Sequence, residues 1–255
     1  MNHGLFWASY FFAVGAAVGS FLNVVIYRLP VGESIVRPGS RCPVCKTPIK
    51  WYHNIPIASY FILRGKCAAC HAPFSPRYML VELLTALLFM ACWARFGVGA
   101  PMFVFMTLIA ALVAVFFIDL DHMIIPDVIT LPGIPIGFVL GYFVLHIPFT
   151  DSLIGFLAGG GIFFVLAVLV PGGMGGGDIK FMAFIGALLG WKAALITIFL
   201  GSLIGAIGGV AGMLFFGKGR KIPFGPYLVL GVLIAVFWQR EVIDLYFSLF
   251  VPGAP

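Results

Sequence analysis

Long apolar runs separated by short polar or glycine-proline stretches dominate the chain. The runs cover residues 5–27, 79–96, 102–118, 128–147, 152–170, 179–190, 193–216 and 224–238. A membrane-spanning helix needs about 20 apolar residues. The pattern predicts an all-α polytopic membrane protein with about eight transmembrane helices, the sixth of them short. Proline and glycine punctuate the ends. Pro30 follows the first run, Gly97–Pro101 and Pro148–Asp151 are turns, and Gly190-Trp191-Lys192 separates the sixth run from the seventh. The stretch 171–178 (PGGMGGGD) is too rich in glycine for regular helix. In the seventh run Gly201, Gly205, Gly208, Gly209 and Gly212 recur at near-helical spacing, which suits close helix packing. Residues 241–251 read as an amphipathic tail. No internal repeat is evident.

One polar segment, 31–78, is long enough to form an aqueous domain. It divides the chain into a first helix (1–30), a polar domain (31–78) and a membrane core (79–255). The first apolar run has no basic stretch before it, which predicts a span rather than a cleaved signal.

Composition supports the membrane as solvent. Hydrophobic residues make up 62% of the chain and charged residues 9%, against about 25% charged in soluble domains. Mean hydropathy is +1.12. The basic excess is local: residues 28–77 hold eight Lys/Arg and one acid, Glu33, and the rest holds seven bases and eight acids. Short basic loops mark the cytoplasmic side. No recognition motif for nucleic acid accompanies this charge, so no nucleic-acid partner is expected. With 28–77 and the basic loop 217–221 inside, counting spans puts both termini outside. Asp119–Asp127 and Pro171–Asp178 then fall on the cytoplasmic side.

A carboxylate at the edge of the hydrocarbon is costly and marks a candidate site. Asp119 follows an uncharged span, and Asp178 opens a helix after the glycine run. Two nearby carboxylates share a proton, and such a pair can activate water while polarising a scissile carbonyl. The structural alternatives are that Asp119 caps one helix and Asp178 another. Asp121 lies about 200° around a helix from Asp119, and Asp127 is expected to cap the fourth span.

Cys42, Cys45, Cys67 and Cys70 give C-x2-C-x21-C-x2-C. This zinc-ribbon-like spacing predicts a closed four-cysteine site holding structural zinc. The alternative, two disulfides, suits the cytosol poorly. A domain of this size has little core, so a metal staple would stabilise it. Cys92 lies within a span and reads as packing.

The chain resembles the bacterial type IV prepilin peptidases, bifunctional leader peptidase/N-methyltransferases of type IV pilus and type II secretion systems. The resemblance rests on Gly19-Ser20-Phe21-Leu22-Asn23, on Tyr27-Arg28-Leu29-Pro30, on the two cysteine pairs and on Trp51–Pro56. It continues through Arg77-Tyr78, Val81-Glu82, Asp119-Leu-Asp121, Ile125-Pro126-Asp127, Gly176-Gly177-Asp178-x-Lys180 and Ile222–Pro226. It implies a GxGD-type aspartyl protease with Asp119 and Asp178 as the catalytic pair. It further implies prepilin or pseudopilin substrates cut after a Gly, at the cytoplasmic face of the inner membrane. S-adenosylmethionine would supply a methyl group to the new N-terminus. Gly65, Lys66 and Glu82 are the candidates for the methyl-donor site. Two alternatives stand beside this: a peptidase without methylation, and a non-enzymatic transporter or assembly scaffold.

Overall fold

The computed structural model describes residues 3–170, 173–216 and 223–250. Pro171, the loop 217–221 and Ile222 lie outside the described residues. The chain is all-helical: α1 (His3–Arg28), α2 (Ala58–Ile62), α3 (Arg77–Phe96), α4 (Ala100–His122), α5 (Asp127–Phe143), α6 (Phe149–Leu169), α7 (Gly176–Phe216) and α8 (Gly225–Phe250). Among the described residues, five helices are long and apolar enough to cross a membrane: α1, α3, α4, α6 and α7. All eight apolar runs fold largely as helix. The sixth and seventh join into α7, which breaks at Gly190 with φ 80° and ψ 176°, a conformation glycine adopts readily. The tail continues α8 past a break at Trp238. Large apolar side chains such as Phe199, Ile207 and Leu214 are exposed, as expected where lipid rather than water is the neighbour.

Two compact units divide within α4: Met1–Ala114 and Val115–Pro255. In the first, α1 packs along α3. Gly15 and Gly19 sit one turn apart on α1. A Cβ at either would lie 2.7 Å from the Cα of Ala86 or Glu82. Backbones this close give a membrane helix pair its dispersion contacts. Asn23 extends the seam by donating to the Tyr78 carbonyl at 2.9 Å.

In the second unit α7 packs against α5, α6 and α8. Small residues again set the distances. Gly133 and Gly137 of α5 abut Phe184 and Leu188, Gly155 of α6 abuts Gly186, and Gly201, Gly205 and Gly208 face Phe224, just before α8, and Tyr227 and Leu228 of α8. Phe181, Met182, Ile185, Leu228 and Val232 are buried at the centre.

The polar segment has almost no regular structure. It is organised from one end by Arg28. This guanidinium is only 8% exposed and donates to the carbonyls of Ser34, Pro38 and Gly39 at 3.0, 2.8 and 3.3 Å. The sequence marks Arg28 as the charge that ends a span. Folded, it is also the buried fork that holds the loop after it.

Candidate active site and metal centre

Asp119 occupies the last turn of α4, where the helix dipole presents carbonyl oxygens and disfavours a negative charge. A carboxylate cannot cap that end. Yet Asp119 is 5% exposed, the one buried acid among the described residues. Its Oδ2 accepts a hydrogen bond from the backbone N–H of Gly225 at 2.9 Å. Gly225 opens α8, so the donor is one of the unpaired N–H groups at a helix N-terminus, a natural anion contact. A Cβ at Gly225 would lie 2.6 Å from that oxygen.

Asp178 stands third in α7 and is half-buried. Its Oδ2 accepts from the N–H of Gly175 at 3.2 Å. That is the reach-back half of a capping box, which places Asp178 inside the first turn rather than at the N-cap. The two aspartates are near enough for the charge of Asp119 to act on Asp178. Each carboxylate therefore keeps one oxygen on a glycine N–H.

The glycines of the GxGD pattern differ in what surrounds them. A Cβ at Gly175 would meet Asp178 Oδ2 at 2.9 Å, and one at Gly177 would meet Ile125 Cβ at 3.1 Å. At Gly176, the x position, it would meet nothing within 4 Å. Asp127 begins α5 without making a side-chain cap. Its carboxylate is instead ion-paired with Lys180, on the α7 turn that carries Asp178. Asp121 is exposed, on a different face from Asp119.

In the first unit the four cysteine sulfurs all lie within 4.8 Å of one another. Cys42–Cys70 and Cys45–Cys67 are separated by 3.8 and 3.9 Å. A tetrahedral zinc with Zn–S of about 2.3 Å has S···S edges of about 3.8 Å, so the donor set fits that ion. No pair is a disulfide.

The two knuckles superimpose in pattern. Cys42 N–H bonds to Thr47 O and Lys46 N–H to Cys42 O. Cys67 N–H bonds to Ala72 O and His71 N–H to Cys67 O. Lys46 and His71 both have positive φ, and bridges join Arg41 to Pro48 and Lys66 to Pro73. This is an internal repeat offset by 25 residues. It goes unseen in sequence because only the cysteines, Pro48 and Pro73 recur within it.

The knuckles tune the thiols. The hydroxyl and backbone of Thr47 lower Cys45 to about 6, and the N–H groups of Cys70 and Ala69 hold Cys67 below its ordinary value. For Cys70 the Ala72 N–H acts downward, but burial and the neighbouring thiols push it up to about 11.

The methyl-donor candidates separate. Gly65 is buried beneath the Tyr60 ring, and a Cβ there would meet that ring at 3.2 Å. Lys66 is exposed on the second knuckle's bridge. Glu82, near the start of α3, accepts from the Ile57 N–H at 2.7 Å and from the Ser20 hydroxyl. Sequence reasoning singled out the acids and thiols but not their holders. Gly225 was visible only as part of a motif, and Arg28 only as a boundary charge within another.

Comparison with known proteins agrees along most of the chain. Residues 13–96 match the model of the bacterial peptidase A24 N-terminal domain, and residues 106–210 that of the type IV leader peptidase family. A prepilin leader peptidase/N-methyltransferase of Aeromonas hydrophila is 38% identical over 98% of this chain and 98% of its own. Proteins of the same name from Pseudomonas aeruginosa and Myxococcus xanthus are 37% and 42% identical. They cover 91% and 84% of this chain, and the match takes in 91% and 66% of their own lengths. No solved structure matches the chain. With two glycine-held aspartates in the unit that α7 organises and a four-cysteine cluster after the first helix, the chain belongs to the type IV leader peptidase family.

Proposed function

We propose that the chain is a membrane aspartic endopeptidase and N-methyltransferase. It removes the leaders of type IV prepilins or type II pseudopilins after a Gly and then methylates the new N-terminus. The observation that carries the peptidase is the Asp119–Asp178 pair, each member fixed by a glycine N–H, in a chain of the leader peptidase family. One carboxylate, ionised, takes a proton from water as the water oxygen attacks the carbonyl carbon of the Gly. The other, protonated, hydrogen-bonds the carbonyl oxygen. Collapse of the tetrahedral adduct breaks the C–N bond, and a proton passes to the departing amine. The shared proton belongs to the pair.

The basic segment 28–77 favours the cytoplasmic side of the inner membrane for the polar domain. A pilin substrate would present its leader in water there and its apolar helix in the bilayer. Residues 31–78 form the domain associated with methylation, with Cys42, Cys45, Cys67 and Cys70 holding structural zinc. The first helix (1–30) anchors it, and 79–255 carry the peptidase. S-adenosylmethionine supplies an electrophilic methyl: the free amine's lone pair takes that carbon as the C–S electrons go to sulfur, and the amine sheds a proton.

The test is leader cleavage by Asp119→Asn and Asp178→Asn. General acid–base groups contribute about 10²- to 10⁴-fold, so each variant should lose at least about 10²-fold. Retained cleavage in both overturns the aspartyl mechanism. The mass of the processed substrate's N-terminus, with and without the methyl donor, separates this function from a peptidase that does not methylate.

A further inference from the structure

A cleft of about 220 Å³ opens in the first unit, lined by none of the residues around the aspartates. The cytoplasmic end of α1, the first cysteine knuckle, the segment through α2 and the start of α3 form its walls. Three features mark it as built for a ligand. Ser59 lines it, is 9% exposed, and its hydroxyl has no hydrogen-bond partner. Buried polar atoms are nearly always paired in folded proteins. Glu82 is held there by the Ile57 N–H and Ser20. Ile57, the donor, is itself strained: with φ 62° and ψ −53° it centres a γ-turn closed from Ala58 N–H to Pro56 O. That turn is rare, and a β-branched residue is poorly suited to it. Strain of this kind collects at ligand sites.

The chemistry of the walls narrows the ligand. Tyr27, Tyr60, Tyr78 and His53 offer aromatic faces, Glu33 and Glu82 anionic oxygens, and Arg41 and Lys46 cationic groups. Aromatic faces and a carboxylate suit a sulfonium. An acid accepts from a ribose diol, an aromatic ring stacks on adenine, and a base meets an amino-acid carboxylate. A basic leader peptide suits the cleft less well, because the surrounding segment is itself strongly basic.

Building on the methyltransferase reading above, we infer that this cleft is the S-adenosylmethionine site. Glu82 faces the cationic part of the donor, and the Ser59 hydroxyl bonds one of its polar atoms. Gly65 then acts through its neighbour, since a Cβ there would stand 3.2 Å from the Tyr60 ring and press on that wall. The knuckle that places Arg41 and Lys46 is held by the cysteines, so the metal shapes the cleft without touching the ligand.

The experiment uses the zinc-loaded full chain in detergent: donor binding is read without prepilin, methyl transfer with a pre-cleaved pilin as acceptor, and leader binding with a synthetic leader peptide. Equilibrium dialysis measures S-adenosylmethionine binding, and ultraviolet cross-linking of methyl-labelled donor maps the site by peptide mass. Label is expected on peptides bearing Tyr27, Tyr60 or Tyr78. Glu82→Gln and Ser59→Ala should each weaken binding about tenfold or more, with zinc content and melting temperature showing that both fold. Unchanged affinity in both variants overturns the cleft. A wild-type chain that binds and transfers methyl but carries label outside residues 20–82 also overturns it, and leaves the methyltransferase function standing. A wild-type chain that neither binds nor transfers overturns both. Loss of leader-peptide binding in Glu82→Gln, with donor binding intact, gives the cleft to the peptide and overturns the proposal.

Discussion

Gly225 brings no side chain to the site, yet its N–H is the hydrogen bond that fixes Asp119. Replacing it with Ala places a methyl 2.6 Å from the Asp119 oxygen. The carboxylate must move or α8 must shift. A displacement of an ångström in a catalytic group can cost about 10²-fold in rate. Gly225→Ala is therefore expected to lower leader cleavage by about 10- to 10²-fold in kcat, while methylation of a pre-cleaved substrate is kept. Gly176→Ala supplies the contrast. Its Cβ meets open space, and exposed substitutions usually stay within about 0.5 kcal/mol, so cleavage should hold within about twofold. Equal loss in both variants would mean that glycine content, rather than contact with the aspartates, is what matters. Asp119 and Asp178 stood out as acids beside apolar runs, though only the family motifs set Asp119 apart from Asp121 and Asp127, and the four cysteines were legible because residue type and spacing carry their chemistry. Gly225 was not, because it meets Asp119 across 106 positions and a glycine's N–H leaves no trace in composition. Ser59 is similarly silent: a serine in a polar loop is ordinary until folding buries it.

At the scale of elements, apolar runs located every long helix, since the bilayer demands a length that sequence displays directly. Packing was less visible. The glycines of the seventh run were recognised, but the seam of Gly15 and Gly19 against α3 depends on which α1 face meets a neighbour, and an all-apolar helix does not announce its face. Gly19→Val should overpack that seam. Overpacking costs about 1–3 kcal/mol and would be read as a lower melting temperature with the four-cysteine cluster still metal-loaded. Asp127 raises a different question, because its residue type made it resemble a capping group. Its ion pair with Lys180 joins the first turns of α5 and α7, and both side chains are partly exposed, which limits such a pair to about 0–1 kcal/mol. Asp127→Asn is expected to reduce cleavage by no more than about fivefold, far from the loss expected for Asp119→Asn. A collapse of activity in Asp127→Asn as deep as in Asp119→Asn would place Asp127 in the reaction itself.

At the scale of the whole molecule, the residues that hold the aspartates and those of the four-cysteine site belong to different compact units. Asp119, Gly175, Asp178 and Gly225 fall within Val115–Pro255, and the cysteines, Arg28 and the cleft within Met1–Ala114. Metal removal should therefore act unequally on the two chemistries. The polar segment has little regular structure and few buried apolar side chains, so binding energy at the four-cysteine site contributes directly to its folding. Chelation is expected to expose residues 31–78 to protease and to abolish methyl-donor binding, while the aspartate pair keeps its glycine hydrogen bonds and cleavage persists. The sign of the pH effect follows from the thiols. Metal binds thiolate, and Cys70, raised to about 11, is protonated at neutral pH in the metal-free protein, so zinc must displace its proton. Apparent zinc affinity should then rise by about tenfold per pH unit for each proton displaced, and acidification should release the metal. Parallel loss of cleavage and methylation across a chelator titration would show instead that the metal-bound segment takes part in peptide hydrolysis. Separate loss, methylation first and cleavage retained, is what two independently held sites require.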